Sequence, residues 1–154
     1  MAQSLSQLWV HIIFSTKNRY PLLEDINIQK RMHEYIAGIC FNLNCIPDTI
    51  GGVADHVHLL VVLSKTITLS DFIEEIKKSS SMWIKQLPEK NTSIEKFYWQ
   101  RGYGAFSVSQ SNISHVRRYI QNQHDHHKTI TFEDELRKFL TRHKMVFDEK
   151  YLWN

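Results

Sequence analysis

The stretch Asp55-His56-Val57-His58-Leu59-Leu60-Val61-Val62-Leu63 decides the fold. It follows the pair Gly51-Gly52 and runs straight into large apolar groups, as a buried strand with two histidines at its start would. Side chains alternate along a strand, so His56 and His58 share one face, while Val57, Leu59, Val61 and Leu63 share the other. At the strand rise the two histidines stand about 6.5 Å apart, within reach of one divalent ion. Amphipathic cover on an exposed sheet face would use the same residues, and the spacing alone leaves both readings open.

Working outward, Thr49 to Val53 reads as a second strand, and the short turn into His56 makes the pair an antiparallel hairpin. Residues 8 to 14 are almost continuously apolar, which predicts a central strand covered on both faces. His11 falls on the Trp9 and Ile13 face and reads as a packed strand histidine among aromatics. Ile28, Met32, Tyr35, Ile36, Ile39 and Leu43 recur at helical spacing over 25 to 43, with Asn44 and Pro47 marking the exit. Thr68 and Asp71 form a capping pair for a helix from 69 to 87, ended by Pro88. Residues 103 to 109 read as a fourth strand. The order strand, helix, strand, strand, helix, strand predicts an α+β, ferredoxin-like fold: a four-stranded antiparallel sheet with two helices on one face. Val57, Leu59 and Val61 would face those helices. His56 and His58 would look out on the other side, needing cover from a third helix, a partner subunit or substrate.

That additional C-terminal helix begins near Asn112, with Ile113, Val116 and Ile120 as its core stripe. On a helical wheel His115, Tyr119, Gln123 and His126 fall within about 40° of Tyr119, beside the core stripe. Tyr119 and Gln123 are thus a turn apart at the rim of whatever the helix packs against. Half-buried packing for Tyr119 and surface filling for Gln123 is the bland alternative. A fourth helix spans 132 to 143, with Thr131 and Asp134 as its capping pair. The tail from Val146 to Trp153, rich in aromatics, would cover an edge or a partner surface.

At 154 residues and 42% hydrophobic content, the chain suits one domain over 1–154 with a proper core. A net charge of +3 is compatible with a polyanionic partner without requiring one. Cys40 and Cys45 form neither a disulfide framework nor a compact metal pair, and read as reduced thiols of a cytoplasmic protein. The start lacks the pattern of a signal peptide, and no apolar run is long enough to span a membrane. Candidate nucleic-acid contacts are Lys17 and Arg19 in a polar loop, Lys77 and Lys78 beside a run of serines, and Trp99 with Arg101 after Phe97-Tyr98. Each also reads as solvated charge or loop packing.

Joined, the parts suit strand transfer. Two histidines and an amide oxygen leave positions open on a cation that could polarise a phosphate. A tyrosine attacking phosphorus forms a phosphotyrosine and conserves bond energy for rejoining. The carboxylate clusters of a two-metal nuclease are missing from the sites the sequence places.

His56-Val57-His58 resembles the His-hydrophobic-His motif of HUH nucleases, and Tyr119-Ile120-Gln121-Asn122-Gln123 the Tyr-x-x-x-Gln signature of their single-tyrosine transposases, the IS200-like family. Val10 to Arg19, Gly51 to His58 and Asp71 to Lys77 resemble the same family, most clearly over residues 5 to 130. The resemblance implies metal-dependent cleavage and rejoining of single-stranded DNA at hairpin-like ends. It implies Tyr119 as nucleophile, left on the 5′ phosphate, and His56, His58 and Gln123 as ligands of Mg²⁺ or Mn²⁺. It further implies a homodimer in which the histidines of one subunit serve the tyrosine helix of the other. The run His124, His126 and His127 departs from the pattern, and His115 and His126 stand as accessory candidates. A domesticated or non-catalytic single-strand-binding relative, or a histidine-metal phosphodiesterase, would carry much of the same sequence.

Overall fold

The computed structural model describes residues 2–89 and 91–152. Its sheet holds β1 (Leu8–Ser15), β2 (Ile46–Val53), β3 (His56–Leu63) and β4 (Gly104–Ser107) in the order β2-β3-β1-β4, every neighbour antiparallel. The helices α1 (Ile26–Asn42) and α2 (Leu69–Lys85) cover one face, completing the ferredoxin-like arrangement. Both begin on side-chain caps: Asp25 accepts from the backbone of Asn27 and Ile28, and Thr68 from that of Asp71. β2 starts three residues earlier than its sequence suggests and takes in Pro47. It is an edge strand with a bulge between Pro47 and Thr49, where a missing amide hydrogen costs little. β4 is shorter than expected.

Ile12, Phe14, Val57, Leu59 and Val61 pack against Met32, Ile36, Phe72 and Ile76 in the main core. The opposite face is covered as well, by the same chain. A short helix α3 (Thr92–Glu95) precedes β4; after it come α4 (Ile113–Gln121), α5 (Gln123–His126), α6 (Phe132–Arg142) and α7 (Glu149–Leu152). α4 lays Ile113, Val116 and Ile120 on Leu60, and α6 lays Phe132, Leu136 and Leu140 on Ile13 and Phe106. Nine residues make a helix too short to persist alone, so α4 depends on this packing, worth about 1.5–3 kcal/mol per fully buried side chain. Of the three covers the sequence leaves open, the structure supplies the one from the same chain, through α4 and, beyond what the sequence suggests, α6. α6, capped by Thr131 on Asp134 as its sequence suggests, closes over them.

One glycine sets how closely α4 docks. A Cβ at Gly51 would stand 2.6 Å from the Ile120 carbonyl oxygen, so the helix backbone rests directly on the β2 backbone. Gly51 pairs with His58 across the sheet, which brings α4 down beside the histidines. The continuous third helix expected from the wheel is broken at Asn122, where α4 ends and α5 begins. Trp153 of the aromatic tail lies outside the described residues.

Candidate active site

His56 and His58 are both fully buried on β3, on the face beneath α4, α5 and α6. His56 Nδ1 lies 2.6 Å from Asp55 Oδ1, and its Nε2 lies 3.1 Å from Gln123 Oε1. His58 Nδ1 lies 2.8 Å from His11 Nε2, and the two rings stack with centroids 5.1 Å apart. His11 thus orients His58 as an outer partner would orient a ligating imidazole. It is more than the packed strand residue its sequence suggests.

The centre of the cluster is a residue the sequence reading did not place. Glu135 of α6 is 1% exposed and faces both histidines with one oxygen: Oε1 lies 2.9 Å from His58 Nε2 and 3.2 Å from His56 Nε2. Its other oxygen accepts from the Tyr119 hydroxyl and from Gln123 Nε2, the latter at 3.2 Å. His126 and His127 each bring Nε2 to 3.2 Å from that same oxygen. A faint signal was present: residues 132, 136 and 140 form the apolar stripe of α6, and Glu135 falls beside it, one turn before Phe139.

Burial and hydrogen bonding compete over the protonation of the group. Burial opposes charge on His56, but the hydrogen bonds with Asp55 and Glu135 outweigh it and carry its pKa up to about 9. Burial dominates at His58, taking it down to about 4 against the pull of Glu135. At Glu135 burial is outweighed by hydrogen bonds from His127, His56 and His58, which hold the carboxyl well below its usual range. Burial and the Glu135 charge push the Tyr119 hydroxyl well above its ordinary value.

The donor set fits a divalent cation. The donor atoms of His56, His58, His127 and Glu135 all lie within 4.8 Å of one another. Neighbouring ligands of a Mg²⁺-sized octahedral ion sit about 3 Å apart. The separations from His56 to Gln123 and from Glu135 to both histidines, 2.9–3.2 Å, are of that length.

The other candidates are distributed around this centre. Tyr119 and Gln123 converge on it despite the break at Asn122, and the Tyr119 hydroxyl lies 3.1 Å from His126 Nε2. His115 is exposed and lines a separate cleft with His11 and Tyr119. His124 turns away, its Nε2 2.9 Å from Gln29 Oε1 of α1. Arg19 pairs with Glu133 beside a groove of about 740 Å³ that also meets Asp55, His127 and Lys128. Lys17 is exposed near the Tyr98 ring. Lys77 donates to the carbonyls of Gln100 and Gly102 at 2.8 and 2.7 Å, and burial lowers its pKa to about 8. Trp99 packs edge-on against Phe14 and Phe97, its indole donating to Ser80 Oγ at 2.9 Å. Lys78 and Arg101 are exposed along an open groove next to it. Among the described residues no helix is long and apolar enough to cross a membrane.

The ferredoxin-like sheet thus carries a buried histidine pair faced by a tyrosine helix and a carboxylate. Residues 4–123 match the model of the family described as Transposase IS200 like, and the chain belongs to that family. It is 25% identical over 121 residues to the ISDra2 transposase TnpA of Deinococcus radiodurans, covering 77% of this chain and 86% of that one. Among solved structures it resembles a Deinococcus radiodurans R1 protein classed as a transposase. The TM-score is 0.62 at 22% identity, over 80% of this chain and 95% of the other. It also resembles a REP-associated tyrosine transposase bound to a REP hairpin, with a TM-score of 0.60 at 15% identity, over 84% of this chain and 76% of the other. At these identities the structural likenesses are of fold.

Proposed function

We propose that the protein cuts and rejoins single-stranded DNA at hairpin-like ends, through a covalent 5′-phosphotyrosine at Tyr119. The observation that carries this reading is the convergence of the Tyr119 hydroxyl on the buried cluster of His56, His58 and Gln123. His56, His58 and Gln123 would hold Mg²⁺ or Mn²⁺, which when bound polarises the scissile phosphate and offsets charge on its oxygens. Asp55 and His11 fix the ring orientations of His56 and His58. Tyr119 forms its bond to phosphorus as the bond from phosphorus to the 3′ oxygen breaks. Its proton, facing Glu135 Oε2, leaves by way of that carboxylate and water as the departing 3′ oxygen is protonated from water, so no net proton is gained or lost. The groove along Arg19 and Lys128 offers the backbone a route to His127 and the cluster.

The solved relative bound to a hairpin supports hairpin DNA as the partner. A homodimer is part of the proposal, with each subunit supplying its own tyrosine, because Tyr119 and the histidines meet within one chain. The test is cleavage of a labelled single strand carrying a hairpin. It should require Mg²⁺ or Mn²⁺ and disappear with EDTA or with His58→Ala. Undiminished cleavage by folded His58→Ala would remove the metal role.

A further inference from the structure

We infer that Glu135 is itself a ligand of the ion, its two oxygens divided between that ion and the Tyr119 hydroxyl. The inference rests on the metal reading of His56 and His58 given above. It adds a residue from α6, beyond the segment 4–123 that matches the family.

Three observations carry it. Glu135 Oε1 already lies 2.9 Å from His58 Nε2 and 3.2 Å from His56 Nε2, the ring atoms that would bind the ion. An ion taken up by those imidazoles therefore meets this oxygen without any movement of α6. Second, a buried carboxylate is costly unless a countercharge sits beside it. Among the described residues no lysine or arginine pairs with Glu135; its neighbours are histidines, a phenol and an amide. A divalent cation held by the same imidazoles would give this carboxylate a stronger countercharge than histidine alone supplies. Third, the ligand chemistry changes. Two imidazoles lean toward zinc-like metals, whereas a carboxylate added to the amide oxygen shifts the set toward Mg²⁺ and Mn²⁺.

The division of the two oxygens has a consequence for the reaction. Oε2 holds the Tyr119 hydroxyl while Oε1 faces the histidines, so one rigid planar group fixes the nucleophile relative to the metal site. A carboxylate that only pinned α6 to the sheet would not need to present one oxygen to each.

The experiment is titration of the full chain with Mn²⁺, followed by loss of the free-ion EPR signal. It uses wild type, Glu135→Gln, Glu135→Asp and His58→Ala, each first checked for folding by circular dichroism. Wild type should bind one ion and His58→Ala should lose it. Glu135→Gln should bind about 10–100-fold more weakly than wild type, with Glu135→Asp in between. If the glutamine variant does not fold, the aspartate variant, which keeps the charge but shortens the reach, carries the comparison. Wild-type affinity in the folded Glu135 variants, with binding lost in His58→Ala, overturns the inference and leaves the metal site standing. Absence of Mn²⁺ binding by wild type overturns both.

Discussion

The Tyr119 hydroxyl donates to Glu135 Oε2, across sixteen residues of sequence and between two different helices. The opposite oxygen of the same carboxylate faces His58. Tyrosine, carboxylate and histidine thus form a line from the surface helix α4 to the centre of the sheet, all within one chain.

That arrangement bears on how subunits share work. The resemblance implies sites built across a dimer, in which a Tyr119→Phe chain mixed with a His58→Ala chain would form one intact site. With tyrosine and histidines of one chain in contact, mixing should restore no cleavage, once subunit exchange is verified by mass-tagged pairs. Recovery toward a quarter to a half of wild-type activity would show that sites are completed in trans.

Stability of the metal-free protein should depend on pH on both sides of neutrality. Burial keeps His33 and His58 down at about 4, and His11 well below its ordinary value. The unfolded chain takes up protons near 6.5 where these folded groups do not, so stability is lost as pH falls from 6.5 toward 4. His56, raised to about 9, works oppositely: its contribution is full below 6.5 and lost as pH rises through 9. Thermal melts in EDTA at about pH 5, 7 and 9 should give the highest midpoint at the middle value. A flat profile would contradict the assigned protonation states.

Gly51 should be the position where a single methyl damages the site from a distance. In Gly51→Ala the new Cβ meets backbone, the Ile120 carbonyl at 2.6 Å, so α4 must lift and carry Tyr119 and Gln123 with it. The expected cost is about 1–3 kcal/mol in urea unfolding, with cleavage falling by more than the unfolded fraction explains. Gly38→Ala is the control. Nothing lies within 4 Å of its new Cβ inside α1, so it should stabilise by about 0.5–1 kcal/mol. Equal effects at the two positions would refute the close-docking argument.

Trp99 and Arg101 should separate packing from DNA contact. Trp99→Ala opens a void against Phe14 and Phe97 and removes the indole hydrogen bond to Ser80, costing about 3 kcal/mol of stability. Arg101→Ala should leave the melting temperature unchanged. It should weaken binding to a hairpin strand and reduce the salt dependence of log K by about one charge. Loss of stability in Arg101→Ala, or unchanged affinity there, would remove this residue from the DNA surface.

Much of the fold was written in local pattern. The alternation in 55–63, the caps at Thr68 and Thr131 and the helical stripe from Ile28 to Leu43 all act over a few residues, and each is found in place. The pairing of Tyr119 with Gln123 was legible because both lie on one side, a turn apart. What the sequence hid was long range. No local pattern says that α6 returns over the histidine face, so Glu135 looked like one acidic residue in the acidic first turn of a surface helix. Only its place at the border of the stripe of 132, 136 and 140 hinted at burial. The aromatic run 97–99 left two readings open for the converse reason. Phe97 and Trp99 turn inward, and Tyr98 alone is exposed, a choice made by the neighbouring β1 strand and α2 rather than by the run itself.

The central claim is that the Tyr119 oxygen attacks phosphorus. The most direct measurement is peptide mass mapping of the species formed with a hairpin-bearing single strand in Mg²⁺ or Mn²⁺. Wild type should give a protein–DNA adduct stable to boiling in detergent, carrying label from downstream of the cut and none from the leaving strand. The nucleotide should map to Tyr119, and Tyr119→Phe should form no adduct, since it keeps the ring and loses only the attacking oxygen. An adduct mapped to another residue, or one formed at full rate by Tyr119→Phe, would contradict the account. Cleavage with no adduct at any time would point to a hydrolytic phosphodiesterase in its place.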